Sequence, residues 1–378
     1  MKIVSKLIIL SVVITTVGCT TAEERVPSLA ESFANYFTIG VAVDRSAVRS
    51  INDTTFILRQ FNSITMEEDM YPINMQPRPN RWRWRIADEL VNFAHRNQIQ
   101  VRGNCLVRHD QMPEWFYFDG ERVTTKDSLF ARIDNYINTI MTRYKGKISC
   151  WDVVSNAIAD DTTIIVKQNT WLYQICGEEY IEHAFRCAHK ADSTALLFYN
   201  DYNVVRPEKL TRTYQMLKNL INKGVHIDGV GIQGHWSLYE PSEQHLQTAI
   251  DSFRSLGLQV HITQLDVSLY KWEKNQRRHL RRNETIRFDE KMKFQQAKQY
   301  STIFKVLRNN ADVVTNVTFW GIDDRHSWLN NYPVKGRKNH PLLFDAYRCT
   351  KPAFNFIMRD LQQSDSIKAA QKLLPFKL

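Results

Sequence analysis

Polar and aromatic side chains in this chain gather where short apolar runs end. Asp152, Ser155 and Asn156 close one run, Asn200, Asp201 and Asn203 the next, and Gln233, His235 and Trp236 a third. Gln264 with Asp266, then Trp320 with Asp323 and Asp324, close two more. Carboxylates and an imidazole can move protons, amides can only hydrogen-bond, and indoles offer flat apolar faces. Any one set is accounted for by turn and cap chemistry. Five sets delivered to one rim point instead to a ligand site. Metal chemistry is disfavoured, because Cys105, Cys150, Cys176, Cys187 and Cys349 show no C-x-x-C spacing. The same five argue against a full disulfide framework and leave room for one pair in an oxidising compartment.

The elements that must position those residues are legible as an alternation. Apolar runs rich in β-branched and aromatic residues fall at 37–43, 61–66, 100–107, 148–155, 194–202, 229–236, 259–267 and 314–322. Helical patterns lie between them: over 242–256, Leu246, Ala249, Ile250, Phe253 and Leu256 share one face, and Ser242 is placed to cap it. Alternating strands and helices predict parallel βα units. Eight of them, with no Gly/Ser linker or shift of composition, predict an α/β fold made of a single (β/α)8 TIM barrel. Its sites lie at the C-terminal ends of the strands, where the polar sets fall.

The first residues read as an export signal. Lys2 and Lys6 precede a short apolar stretch, Leu7 to Val17, that ends in Val17-Gly18-Cys19. This resembles a bacterial lipoprotein cleavage site with Cys19 as the lipidated residue, departing from it at Thr16. The other reading is an ordinary secretory signal. The expected organisation is a signal peptide over 1–18, a tether over 19–31, the barrel over 32–361 and a tail over 362–378. A lipid on Cys19 implies a membrane-anchored protein of the outer membrane or cell surface, with which Glu23 and Glu24 are compatible. Without it, the protein is expected to be periplasmic or secreted. The formal charge of +10 becomes +8 without Lys2 and Lys6. Much of it lies in Lys271 to Lys293, a solvated face or a surface for an acidic partner. Nothing resembles a nucleic-acid module, and no cofactor is implied.

The motifs themselves resemble glycoside hydrolase family 10, the endo-β-1,4-xylanases. The segments are Trp151-Asp152-Val153-Val154, Leu197-Phe198-Tyr199-Asn200-Asp201-Tyr202-Asn203, Gly231-Ile232-Gln233-Gly234-His235-Trp236 and Thr318-Phe319-Trp320-Gly321. Ser327-Trp328-Leu329-Asn330-Asn331, Pro341-Leu342-Leu343-Phe344-Asp345, Phe61 to Glu68 and Val101-Arg102-Gly103 extend the match. The resemblance implies retaining hydrolysis by two carboxyl groups about 5 Å apart, one an acid/base and one a nucleophile. In the family these are the Glu of Trp-Asp-Val-Val-Asn-Glu-Ala and the Glu of Ile-Thr-Glu-Leu-Asp-Val. Here the first reads Trp151-Asp152-Val153-Val154-Ser155-Asn156-Ala157 and the second Ile262-Thr263-Gln264-Leu265-Asp266-Val267. Amides Asn156 and Gln264 stand at both positions, so a catalytically impaired member is expected.

Further departures surround them. The family's Glu-Asn-x-Met-Lys is read against Glu68-Asp69-Met70-Tyr71-Pro72, which puts Pro72 at the sugar-binding Lys. Arg-Gly-His-Thr-Leu-Val-Trp-His becomes Arg102-Gly103-Asn104-Cys105-Leu106-Val107-Arg108-His109, so a substrate-contacting His and Trp become Asn104 and Arg108. Ser155 replaces an Asn that bonds the sugar 2-hydroxyl. By resemblance, Glu68, His109, Gln233, His235, Trp320 and Trp328 remain as substrate-binding residues, the two tryptophans walling the sugar pocket; alternatively these side chains only satisfy one another. Three functions follow: a non-hydrolytic binder of xylan or a related polysaccharide, a glycosidase with carboxylates relocated among Asp69, Asp110, Asp160, Asp266 and Asp323, or a scaffold for a protein partner.

Overall fold

The computed structural model describes residues 27–273, 276–281 and 284–373. Lys2, Lys6, Cys19, Glu23, Glu24 and Arg282 lie outside them, and with them the expected signal peptide and most of the expected tether. Among the described residues no helix is long and apolar enough to cross a membrane.

Eight parallel strands close on themselves: β1 (Thr38–Val43), β2 (Ser63–Met66), β3 (Gln100–Gly103), β4 (Cys150–Ser155), β5 (Leu196–Tyr202), β6 (Gly229–Gln233), β7 (Gln259–Ser268) and β8 (Val314–Phe319). Each pairs with its successor, and β1 closes the barrel against β8 in the register Gly40↔Thr318. Strands buried on both faces must be continuously apolar or internally bonded, and every residue of β2, β4 and β6 is buried. The expected third run is interrupted: 104–106 leave the ladder, and Val107–Arg108 rejoins it beside β4. The sixth divides likewise, His235–Ser237 pairing with β7. Both breaks fall at the C-terminal ends of their strands, at the mouth.

Gly103 is required by its neighbour. A Cβ there would lie 2.1 Å from the Trp151 ring, which fills the barrel interior at 1% exposure. Around the barrel, helix Glu243–Ser255 shows the local logic: Ser242 Oγ accepts from the His245 N–H at 3.1 Å, and Leu246, Ala249, Ile250 and Phe253 are buried.

Both ends of the barrel body extend beyond the sequence expectation. Ser28 caps a short helix, Leu29–Ser32, whose Leu29 is fully buried and donates its N–H to Gln60 Oε1. The residues just before 32 are therefore core, not tether. The last helix spans Pro352–Leu373, so the chain past 361 continues it. All five described cysteines are free.

Candidate active site

The mouth residues separate into an inner polar layer and an outer rim. Asp152, expected at the rim, lies inside: it forms an ion pair with Arg102 and accepts from Asn200 Nδ2 at 2.9 Å. His261 Nδ1 meets Arg102 Nη1 at 2.6 Å. Burial beside that guanidinium drives the His261 pKa far down. A buried charge is tolerated only when paired and hydrogen-bonded, and this layer does that work. Asp324 is likewise internal, bridging Lys351 and the Leu342 N–H. Asp201 is fully buried against Lys209 and the Tyr199 hydroxyl.

The rim holds the two amides. Asn156 follows β4 with φ of 59°, a left-handed conformation Asn tolerates better than most residues. Its Oδ1 accepts from Gln233 Nε2 at 2.8 Å. Opposite, on β7, the Gln264 amide meets His235 Nε2 at 2.8 Å. The other ring nitrogen, Nδ1, is 2.8 Å from Asp266 Oδ2, which also accepts from Trp328 Nε1 at 2.9 Å. With Nδ1–H committed to Asp266, Gln264 can serve the imidazole as acceptor or, after an amide flip, as donor. A carboxylate could only accept. Trp328 packs 4.7 Å from the His235 ring, and Trp320 stands edge-on at 6.0 Å. Gln233, His235, Trp320 and Trp328 are thus brought together with Asn156 and Gln264.

The β2–β3 side is arranged differently. Arg108 grips Asp110 through two bonds, 2.7 and 3.0 Å, donates to the Tyr71 hydroxyl at 3.0 Å and lies 5.2 Å from the Tyr71 ring centroid. The guanidinium lowers the Asp110 pKa against a burial that would raise it. His109 is pushed down to about 4, chiefly by burial. The register assumed from sequence is corrected here. The fourth residue of Glu-Asn-x-Met-Lys is a methionine, and Met70, 1% exposed in the core, is that residue. Glu67 then takes the Glu position, Glu68 the Asn and Tyr71 the Lys. Pro72 instead opens helix Pro72–Met75 at a position where its missing N–H costs nothing. Glu68 is exposed. Glu67, missed by the sequence reading, is pushed up to about 7 by burial and then by the charges of Asp44 and Glu68.

The other carboxylates considered for catalysis are engaged. Asp323 caps the turn at Arg325 and His326 and bonds His326 Nδ1 at 2.7 Å. Asp160 accepts from the Tyr202 hydroxyl at 2.8 Å. Asp69 is raised, mainly by burial. The basic stretch is partly self-neutralised: Arg277 and Arg337 share Glu273 and Glu284. Among the described residues no group of His, Cys, Asp and Glu could hold a metal ion.

Most of the chain compares closely with known proteins. It is 41% identical over 330 residues to an endo-1,4-beta-xylanase of Geobacillus stearothermophilus, covering 87% of this chain and 97% of that one. A beta-1,4-xylanase of Dictyoglomus thermophilum is 40% identical over 329 residues, covering 87% and 90%. Among solved structures, the endo-1,4-beta-xylanase of Caldicellulosiruptor owensensis superposes with a TM-score of 0.83 at 38% identity, covering 88% of this chain and 99% of that one. A mutant structure in complex with xylotriose matches at 0.83 and 39%, covering 88% and 99%. The family model for glycosyl hydrolase family 10 spans residues 28–360, from the cap of the first helix almost to the end of the barrel. With that span, the closed eight-stranded barrel and the paired rim motifs in agreement, the chain belongs to glycoside hydrolase family 10.

Proposed function

We propose that this family 10 protein is a non-hydrolytic binder of xylan or a related polysaccharide, attached to a membrane by a lipid on Cys19. The observation that carries the reading is that both catalytic positions hold amides already engaged as hydrogen-bond partners of Gln233 and His235. An amide has no proton to give near neutral pH and does not attack an anomeric carbon. General acid–base catalysis alone is worth roughly 10²–10⁴-fold, and without a nucleophile the covalent route closes too. Meanwhile a buried atom near the mouth, Asp266 Oδ1, has no hydrogen-bond partner among the described residues. Such groups are costly unless something bonds them, and sugar hydroxyls beside the Trp320 and Trp328 faces would do so. Calorimetry against xylo-oligosaccharides and arabinoxylan tests the binding; no heat at millimolar ligand refutes it. Replacing Cys19 by Ser should release the protein from membrane fractions, and unchanged fractionation removes the anchor.

One observation favours a second reading, an active glycosidase with a relocated acid. Glu67, held near 7, is protonated enough at neutral pH to serve as general acid. Reducing-sugar release from xylan that vanishes in Glu67→Gln would establish it; no release from the natural protein discards it.

A further inference from the structure

We propose that a row of exposed arginines, Arg78, Arg81, Arg83 and Arg85, in the loop between β2 and the helix Trp84–Arg96, docks the carboxylates of an acidic polysaccharide. This rests on the binding function proposed above and names the class of chain that the protein selects.

Between Asp69 and Asp88 the sequence carries these four arginines and no acidic residue, and over 81–85 it reads Arg-Trp-Arg-Trp-Arg. The fold sends the two residue types to different places. Trp82 and Trp84 are half-buried and stack on each other at 4.4 Å, and Trp82 continues the stack onto the buried Tyr136 ring at 5.4 Å. All four arginines are exposed. Neighbouring side chains of extended backbone turn to opposite sides, so the inward packing of Trp82 sets Arg81 and Arg83 outward. The backbone beneath them is held in place. Arg81 N–H donates to the Arg78 carbonyl at 3.1 Å, Arg83 N–H to that of Met75 at 2.8 Å, and Trp115 Nε1 to that of Gln76 at 2.9 Å.

Among the described residues none of the four forms an ion pair. The acids that follow them in sequence are held by other cations: Arg143 bonds both oxygens of Asp88, and Arg49 both oxygens of Glu89. Glu89 feels Arg85 only at longer range. Glu114, exposed beside Trp115, flanks the row with one negative charge against four positive. Helix stability does not account for the arginines either. Arg83 is the N-cap of its helix and Arg85 follows in the first turn, where Ser, Asp or Glu would be favoured, and the helix has neither a side-chain cap nor an acid there. Cations at that end repel the helix dipole and one another, and a bound anion relieves both.

Place and shape select the partner. The loop leaves the C-terminal end of β2, so the row lies on the face that carries the mouth. Arg81 and Arg83, two residues apart in extended chain, are about 7 Å from each other, a spacing that suits charges distributed along a polymer. A lipid surface fits less well. The first described helix, Leu29–Ser32, meets the last residue of helix Ile51–Gln60 at the opposite end of the barrel, and the segment bearing Cys19 joins the barrel there.

The test compares glucuronoxylan with the same polymer after its carboxyls are reduced to alcohols. The acidic form should bind the full-length protein roughly tenfold more tightly, the sum of several exposed ion pairs that are each weak, with the gap narrowing as salt rises. Replacing all four arginines by Gln should close the gap and leave affinity for the reduced polymer unchanged. Equal affinities in the natural protein overturn this inference while leaving polysaccharide binding intact; no binding of either polymer overturns both. A preference that persists in the fourfold variant overturns the assignment to this row. If that variant does not fold, the four single Arg→Gln variants decide: each should narrow the gap, and four unchanged gaps refute the row. If the two polymers bind equally and the arginines instead draw the Cys19→Ser protein to phosphatidylglycerol vesicles, the partner is a lipid surface and the inference fails.

Discussion

On the β6 to β8 side of the mouth, Gln233, His235, Asp266, Trp320 and Trp328 keep the family pattern, and Gln264 is the single departure. Its amide has nearly the size of a carboxylate and hydrogen-bonds His235. On the β2 to β3 side, several positions have changed together, at Glu68, Tyr71, Asn104 and Arg108. Two of those changes are reciprocal. A cation has become the aromatic Tyr71, an aromatic has become the cation Arg108, and the two touch. The contrast teaches that the second half differs at several linked positions, while the first differs by a single exchange of O for NH₂.

The largest test of this contrast is the double reversion Asn156→Glu/Gln264→Glu. If the β6 to β8 half retains a working frame, reducing-sugar release from xylan should rise at least about 10²-fold over the natural protein. Placing Glu at a φ of 59° should cost about 1 kcal/mol of stability. A folded double revertant without activity would show that the rebuilt half obstructs the substrate. Adding Tyr71→Lys/Arg108→Trp should then restore turnover.

A comparison of two aspartates comes next. Asp266 is fully buried and accepts from both His235 and Trp328. Replacing it by Ala strands two donors, at about 1–3 kcal/mol each. Asp110 pairs with Arg108 but its side chain is 45% exposed, so Asp110→Ala should cost no more than about 1 kcal/mol. Urea denaturation of the two variants measures the difference; equal losses would erase the distinction between a buried network and a surface clamp.

Much of the barrel was legible because buried parallel strands must be apolar runs and helices must show one apolar face. The rim motifs were equally readable, since Asn156 and Gln264 sit in ungapped patterns. Asp152 and Asp324 were misplaced because position along a strand does not tell which side of the mouth a side chain turns to. Tyr71 was hidden by a one-residue slip that anchoring on Met70 would have prevented.

Within the rebuilt half, Glu67 and His109 should titrate against each other. Glu67 is raised from its ordinary carboxyl value to about 7, so its contribution to stability is present below the unfolded pKa and is lost as pH rises toward 7. His109 is depressed to about 4, so its contribution is present above its unfolded pKa and is lost as pH falls toward 4. Between these limits the slopes oppose, each at most about 1.4 kcal/mol per pH unit. Thermal unfolding of Glu67→Gln should show stability rising with pH, and that of His109→Gln should show it falling. Parallel profiles in the two variants would refute the opposition.

The smallest effect concerns the exchanged pair itself. If Tyr71 and Arg108 replaced the family's residues as a unit, their energies should couple. The contact combines a 3.0 Å hydrogen bond with a guanidinium 5.2 Å from the ring centroid, and a partly exposed cation–aromatic contact is worth about 0.5–1 kcal/mol. A cycle of Tyr71→Leu, Arg108→Gln and both together should therefore return a coupling of about 1 kcal/mol in urea unfolding. Asp110 holds Arg108 in both backgrounds, so the cycle isolates the Tyr71 contact. A coupling indistinguishable from zero would mean that the two substitutions arose separately and merely lie side by side. The rebuilt half would then be a set of independent losses, and the difference between the two sides of the mouth would be one of degree.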